Sequence, residues 1–135
     1  MAQTQPTQPQ RTPERIHAIQ HIEIASTEPG KLKQFLEKQF GWQFQTYPMP
    51  SGEYHAFRTP DGNGGGVTAP MPGQAIAATP YINVADIEAT LKGCEKAGAK
   101  ILMPVTEVPG QGRFFWFQAA GGPPLACWQQ TGPRS

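Results

Sequence analysis

From Thr79 to Met103 the apolar positions change period twice. Pro80 to Val84 carries Tyr, Ile and Val, which suit a pleated, half-buried surface and predict a strand. Ile87, Leu91 and Cys94 then recur at helical spacing and give a single apolar face. Lys100 to Met103 returns to strand, with Pro104 expected to close it. The helix between carries its own boundaries. Asp86 is its N-cap, Glu88 places a carboxylate at the positive end of the dipole, Lys96 lies in the last turn and Gly98 provides a left-handed stop. The stretch reads as strand, capped helix, strand.

The same plan occurs earlier in the chain. Ile16 to Ala25 alternates as a strand, with His17, Ile19, His21 and Glu23 on one face and Ala18, Gln20, Ile22 and Ile24 on the other. Ser26 or Thr27 caps a helix with Glu28 and Pro29 in its first turn, and Leu32, Phe35, Leu36 and Phe40 form its apolar stripe. Gly41 ends that helix. Turn-separated strands follow each helix: Phe44 to Tyr47, Glu53 to Thr59 and Gly65 to Ala69, then Lys100 to Met103, Arg113 to Gln118 and Leu125 to Gln129. Aligning Glu28 with Asp86 brings Gly41 close to Gly98, so the pattern reads as a duplication of about sixty residues. The order is βαβββ twice, an α+β chain with modules at about 16–69 and 78–130, together forming a domain over 16–135. Ala69 to Ala78, rich in Pro, Gly and Ala, links them. Met1 to Arg15 holds almost no apolar side chain and is expected to be a disordered tail.

Composition narrows the function classes. The chain has 135 residues, 16% of them charged, and a formal net charge of +1, so no general field attracts nucleic acid or a membrane surface. No apolar run approaches the ~20 residues of a membrane helix. No charged-then-apolar export segment opens the chain, so a cytoplasmic protein is expected. Cys94 and Cys127 form no C-x-x-C pair and are expected as reduced, packed thiols, although spacing alone leaves a disulfide between them open. Asp61-Gly-Asn-Gly-Gly-Gly66 lacks the Lys-Ser/Thr ending of a phosphate loop and precedes no helix. His17-x-x-x-His21 has Ala18 where a zinc protease motif needs Glu and alternates like a strand. His55 reads as an ordinary strand residue.

The segments HIEIASTEPGKLKQFLEKQFGW, YINVADIEATLKGCEKAGAKILMP and TEVPGQGRFFWFQAAGGPPLACWQQ, with GNGGGV between, resemble the vicinal oxygen chelate superfamily of glyoxalase I, extradiol dioxygenases and bleomycin-resistance proteins. The resemblance implies two βαβββ modules forming curled mixed sheets around a shared cleft, and frequent homodimers. It also implies four metal-ligand positions, on the opening and closing strands of the modules. In this chain they fall on His21, Thr79, Gly66 and Ala126. Only His21 is a good divalent ligand, whereas a catalytic divalent ion normally takes about three protein ligands. The turn before the last strand, Ala119-Ala120-Gly121-Gly122-Pro123, also departs from the superfamily's Asp-Pro-x-Gly-Asn.

The expected function is therefore binding of a small organic molecule in a cleft, with no cofactor and with a divalent metal disfavoured, in a homodimer without nucleic-acid or membrane partners. His21 and Glu23 are the candidate catalytic pair, and His21 is the one retained metal candidate. Thr79, Tyr81 and Asn83 share a strand face and can hold a ligand by hydroxyl and amide groups, or satisfy one another. Alternation sends Phe114 and Trp116 to one face and Phe115 and Phe117 to the other. One pair is expected on a helix and the other on the cavity wall, where Trp116 and Trp128 can stack on a planar ligand. Two alternatives stand beside this reading. One is a metal-dependent lyase, isomerase or dioxygenase of the same superfamily using His21 and Glu23. The other is a non-catalytic scaffold domain.

Overall fold

The computed structural model describes residues 15–50 and 52–132. The expected tail at Met1 to Arg15 lies outside them except for Arg15. The chain divides into two compact units. Of the described residues, the first holds those from His21 to Ala78; the second holds residues 15–20 and 79–132.

The first unit contains β1 (Ile19–Ala25, from His21 onward), α1 (Pro29–Phe40), β2 (Gln43–Met49), β3 (Gly52–Arg58) and β4 (Gly64–Thr68). Its sheet order is β2-β3-β4-β1, with β1 parallel to β4 and the other pairs antiparallel. The second unit contains β5 (Ala78–Asn83, from Thr79 onward), α2 (Ile87–Lys96), β6 (Lys100–Val108), β7 (Gly112–Gln118) and β8 (Leu125–Gln130). Its order is β6-β7-β8-β5, with β5 parallel to β8. Each unit is a βαβββ module with a mixed sheet whose first strand joins its last, as the repeated pattern requires.

Both helices end as their sequences dictate. The Asp86 carboxylate accepts from the Ala89 N–H at 3.1 Å. At the other end of α2, Gly98 (φ 96°) donates to Glu95 O and Ala99 donates to Cys94 O, the paired bonds of a Schellman stop. Gly41 (φ 70°) closes α1 by donating to Glu37 O. The start of α1 lies later than expected, past both Ser26 and Thr27. Glu28 is the N-cap residue and Pro29 the first helical one, while Ser26 Oγ accepts from the Glu28 N–H instead of capping the helix.

Each helix covers one face of its own sheet. Leu36 packs on Phe57 and Val67, with Ile24, Leu32, Trp42 and Phe44 around them. Ile87 packs with Val84, Phe115 and Cys127, joined by Ile82, Leu91, Cys94, Ile101, Val105 and Phe117. Phe115 and Phe117 are thus the pair turned to the helix. The stripe expected on α1 is narrower than its spacing suggested, because Phe35 and Phe40 are 57% and 56% exposed. They touch each other edge to face, and Phe40 leans on Trp42, around the outside of the helix. Leu32 and Leu36 are enough to fill the groove over the sheet.

Two further expectations need correction. Pro104 does not close its strand: β6 runs on to Val108, and the register shifts on either side of Met103. A proline is tolerated there because β6 is the outer strand of its four and the ladder is already irregular. His17 is not part of β1. It occupies a left-handed turn (φ 67°) ahead of the strand, so the polar face of β1 carries one imidazole. That lead-in is bound to the end of β5. The His17 N–H donates to Asn83 O, the Asn83 N–H to Ala18 O, and Asn83 Nδ2 to both Arg15 O and Gln20 Oε1.

Cys94 and Cys127 are both free thiols. Burial pushes the Cys127 thiol up to about 12, and the neighbouring Cys94 adds to the shift. A thiol whose pKa is raised by folding contributes stability that is full below its ordinary value near 9.0 and lost as pH rises from there towards 12. At pH 9 a maleimide should therefore react with Cys94 first and with Cys127 only as fast as the second unit unfolds. Equal labelling rates in mass spectrometry would refute that packing. No helix among the described residues is long and apolar enough to cross a membrane.

Candidate functional site

The sheet face turned away from α1 is polar. His21 and Glu23 lie two apart on β1 and so share this face. Across from them β4 presents Gly64 opposite His21 and Gly66 opposite Glu23. On the far side of β4, Gly64 pairs with Arg58 and Gly66 with Ala56. Tyr54, two residues before Ala56, projects from the same face of β3. The glycines carry nothing that would hold these neighbours off. A Cβ on Gly66 would lie 2.1 Å from both Cζ and the hydroxyl of Tyr54, and one on Gly64 would lie 2.4 Å from Arg58 Nη1. Tyr54 and Arg58 therefore lie down across β4 toward β1.

The Tyr54 hydroxyl reaches Glu23 and donates to Oε1 at 3.0 Å. His21 Nε2 lies 2.9 Å from the same oxygen and 3.5 Å from the phenol. A carboxylate only accepts, so Nε2 carries the proton that points at Glu23. The imidazole nitrogen nearest the carboxylate thus has no lone pair to offer a metal. Glu23 and His21 remain partly open, with side chains 16% and 31% exposed.

The face of the second sheet turned away from α2 is aromatic. Ala126 on β8 pairs with Tyr81 on one side and Trp116 on the other. Across this small residue Trp116 Nε1 donates to the Tyr81 hydroxyl at 2.9 Å, with the two rings edge to face. Phe114 packs on Tyr81 at 6.2 Å. Trp128 Nε1 donates to Gln130 Oε1, and its ring lies over Gly112, where a Cβ would meet Cζ2 at 2.6 Å. Tyr81 is buried, and the three other rings are half-buried.

The expected site residues are therefore distributed as follows. His21 and Glu23 are joined in one network. Tyr81 and Trp116 are joined in another, with Trp128 on the same face. Thr79 is buried on that face at 5% exposure. Asn83 is buried as well, and its amide hydrogens are used in binding the lead-in segment. Sequence reasoning missed Tyr54; it had Gly66 as a position without a ligand atom and Phe114 as one of the ring pair shared with Trp116. The available signal was the alternation of β3, which puts Tyr54 on the Glu23 face, opposite a strand with no side chains to block it.

A family model for the Glyoxalase/Bleomycin resistance protein/Dioxygenase superfamily matches residues 18–123. The chain belongs to this superfamily. It is 26% identical over 127 residues to "Putative glyoxylase CFP32" of Mycobacterium bovis and of Mycobacterium tuberculosis, covering 90% of this chain. It spans about half the length of these curated relatives, 49% of each. Solved structures share the fold. Methylmalonyl-CoA epimerase from Mycobacterium tuberculosis superposes with a TM-score of 0.68 at 11% identity, over 86% of this chain and 89% of that one. Hypothetical protein BH1468 from Bacillus halodurans gives 0.69 at 15% identity, over 87% and 97%. A Streptomyces coelicolor methylmalonyl-CoA epimerase variant in complex with 2-nitronate-propionyl-CoA gives 0.66 at 14% identity, over 90% and 99%.

Superfamily membership raises the question of a divalent ion, and the donors at hand do not fit one. The positions that the superfamily resemblance assigns to closing-strand carboxylates are Gly66 and Ala126, which have no donor atoms in their side chains. In each unit the vacated place is crossed by a hydrogen bond, Tyr54 to Glu23 and Trp116 to Tyr81. Among the described residues no group of three His, Cys, Asp or Glu side chains is placed to hold a metal.

Proposed function

We propose that this superfamily member binds a small organic molecule on a sheet face turned away from its helix, without a divalent metal. The observation that carries the reading is the replacement of both closing-strand carboxylate positions by small residues, each bridged by an aromatic donor. Such bridges fix the rings in place, and a fixed ring loses little entropy when a ligand stacks on it. Phe114, Trp116 and Trp128 supply apolar, planar area, and Tyr81 holds the Trp116 indole upright. Recognition by a few rigid rings and a small number of polar groups is the common composition of small-molecule sites. A cytoplasmic homodimer belongs to the same proposal.

Purified protein should contain substoichiometric iron, zinc, nickel and manganese by elemental analysis, and chelator treatment should leave its melting temperature unchanged. A thermal-shift screen of small aromatic compounds should find stabilisers, because a ligand at 100 times its dissociation constant adds about 2.7 kcal/mol. Those hits should quench tryptophan fluorescence, and Trp116→Leu should weaken them about tenfold, the scale of one lost aromatic anchor. One tightly held equivalent of metal, or a silent screen, would refute the proposal.

A further inference from the structure

The first unit contains a feature that small-molecule binding alone leaves unexplained. Glu23 is a largely buried carboxylate whose two oxygens are treated unequally. Oε1 takes both bonds, from Tyr54 and His21, and Oε2 accepts none among the described residues. No Lys or Arg among the described residues forms an ion pair with Glu23; its basic neighbour is the His21 imidazole. Arg58, one rung along the same face, is folded over Gly64 with Nη1 donating to Phe57 O. With the side chain 16% exposed, Oε2 is the part of the carboxylate left open to a further donor.

We propose that Glu23, positioned by Tyr54 across Gly66, anchors a ligand that carries a small ammonium group. The inference rests on the reading that this chain binds a small organic molecule, and it names the chemistry of one end of that ligand. Two features select an ammonium. The oxygen left over on Glu23 is an acceptor and takes a donor. A charged donor makes a bond roughly twice as strong as a neutral one. An anionic group in the same place would meet the carboxylate directly. The phenol is the positioning element: it holds Oε1, which removes the rotamer freedom that a loose glutamate would lose on binding.

The experiment uses the full chain and three probes of the same size and ring: benzylammonium, benzyl alcohol and benzoate, titrated at pH 7 and followed by 1H–15N correlation spectra. Benzylammonium should bind in the millimolar range or better, at least about tenfold more tightly than benzyl alcohol. Shifts should centre on residues 21–24 and 54, and benzoate should give none. Glu23→Gln keeps the shape of the side chain and should abolish the preference for benzylammonium over benzyl alcohol. Tyr54→Phe keeps the ring and should reduce that preference about threefold to tenfold with the amide spectrum otherwise unchanged, a ratio that a merely structural role for Tyr54 would not move. Equal binding of the three probes, or benzylammonium affinity that survives Glu23→Gln, overturns the inference. The two proposals fail separately. If benzylammonium is silent while the thermal-shift hits persist in Glu23→Gln, the ammonium anchor is wrong and the aromatic site stands. If the screen is silent as well, both fall.

Discussion

Gly65→Ala is expected to cost the first unit about 3–5 kcal/mol, close to the whole stability of a small domain. Gly65 pairs with Ile22 in the parallel β1–β4 ladder, and a Cβ there would sit 1.8 Å from the Ile22 carbonyl oxygen and 2.8 and 2.9 Å from its carbonyl carbon and nitrogen. All three atoms are backbone, so no side-chain rotation relieves the clash. The strands must separate, and each ladder bond lost costs about 1 kcal/mol on top of the overpacking. The neighbouring change gives the contrast. In Gly66→Ala the new methyl meets the end of the Tyr54 side chain, which can swing out. The expected loss is about 1 kcal/mol together with the Tyr54–Glu23 bond. Urea unfolding of both variants checks this. Equal midpoints would mean that the register placing Gly65 against Ile22 is wrong.

Phe115→Ala should be comparably severe in the second unit, at about 3–5 kcal/mol. Phe115 is fully buried at the centre of the cluster formed by Val84, Ile87 and Cys127 under α2. Removing the ring leaves a cavity between a helix and two strands that are already held in register by β7–β8 pairing, so the walls cannot close over it. Phe114 next to it faces the opposite way and is half-buried. Phe114→Ala should lower the urea midpoint far less while weakening aromatic ligands. Phe35→Ala, at a position 57% exposed, should change stability by no more than about 0.5 kcal/mol. A large effect at Phe35 with a small one at Phe115 would contradict the assignment of faces.

The parts of this structure that were legible in the sequence are those governed by short-range chemistry. Asp86, Gly98 and Gly41 act at their own helix ends, and each does what its residue type dictates. The duplicated order of elements was legible for the same reason, because each period change is local. The errors lie where a neighbour in space decides. Pro104 continues a strand because its partner tolerates an irregular edge, a fact about β7. Phe35 and Phe40 share helical spacing with Leu32 and Leu36, but the width of the sheet below them sets how many of the four are covered. His17 follows the alternation of β1, yet the bonds its lead-in makes to Asn83 pull it into a turn.

The candidate site divides along the same line. Alternation alone placed His21 with Glu23, and Phe115 with Phe117. The contact between Tyr54 and Glu23 required the register of β3 on β4 and of β4 on β1, together with the empty face of Gly66 between them. That register is set by pairing between strands, which a single strand does not encode.

The seat of Tyr54 also bears on how readily this lineage could change its chemistry. A carboxylate placed at position 66 would fall on the phenol, so it could enter only with the tyrosine swung off Glu23. Any route to cation coordination on this face, in nature or in the laboratory, therefore gives up the Tyr54–Glu23 bond at the step that brings the new carboxylate in.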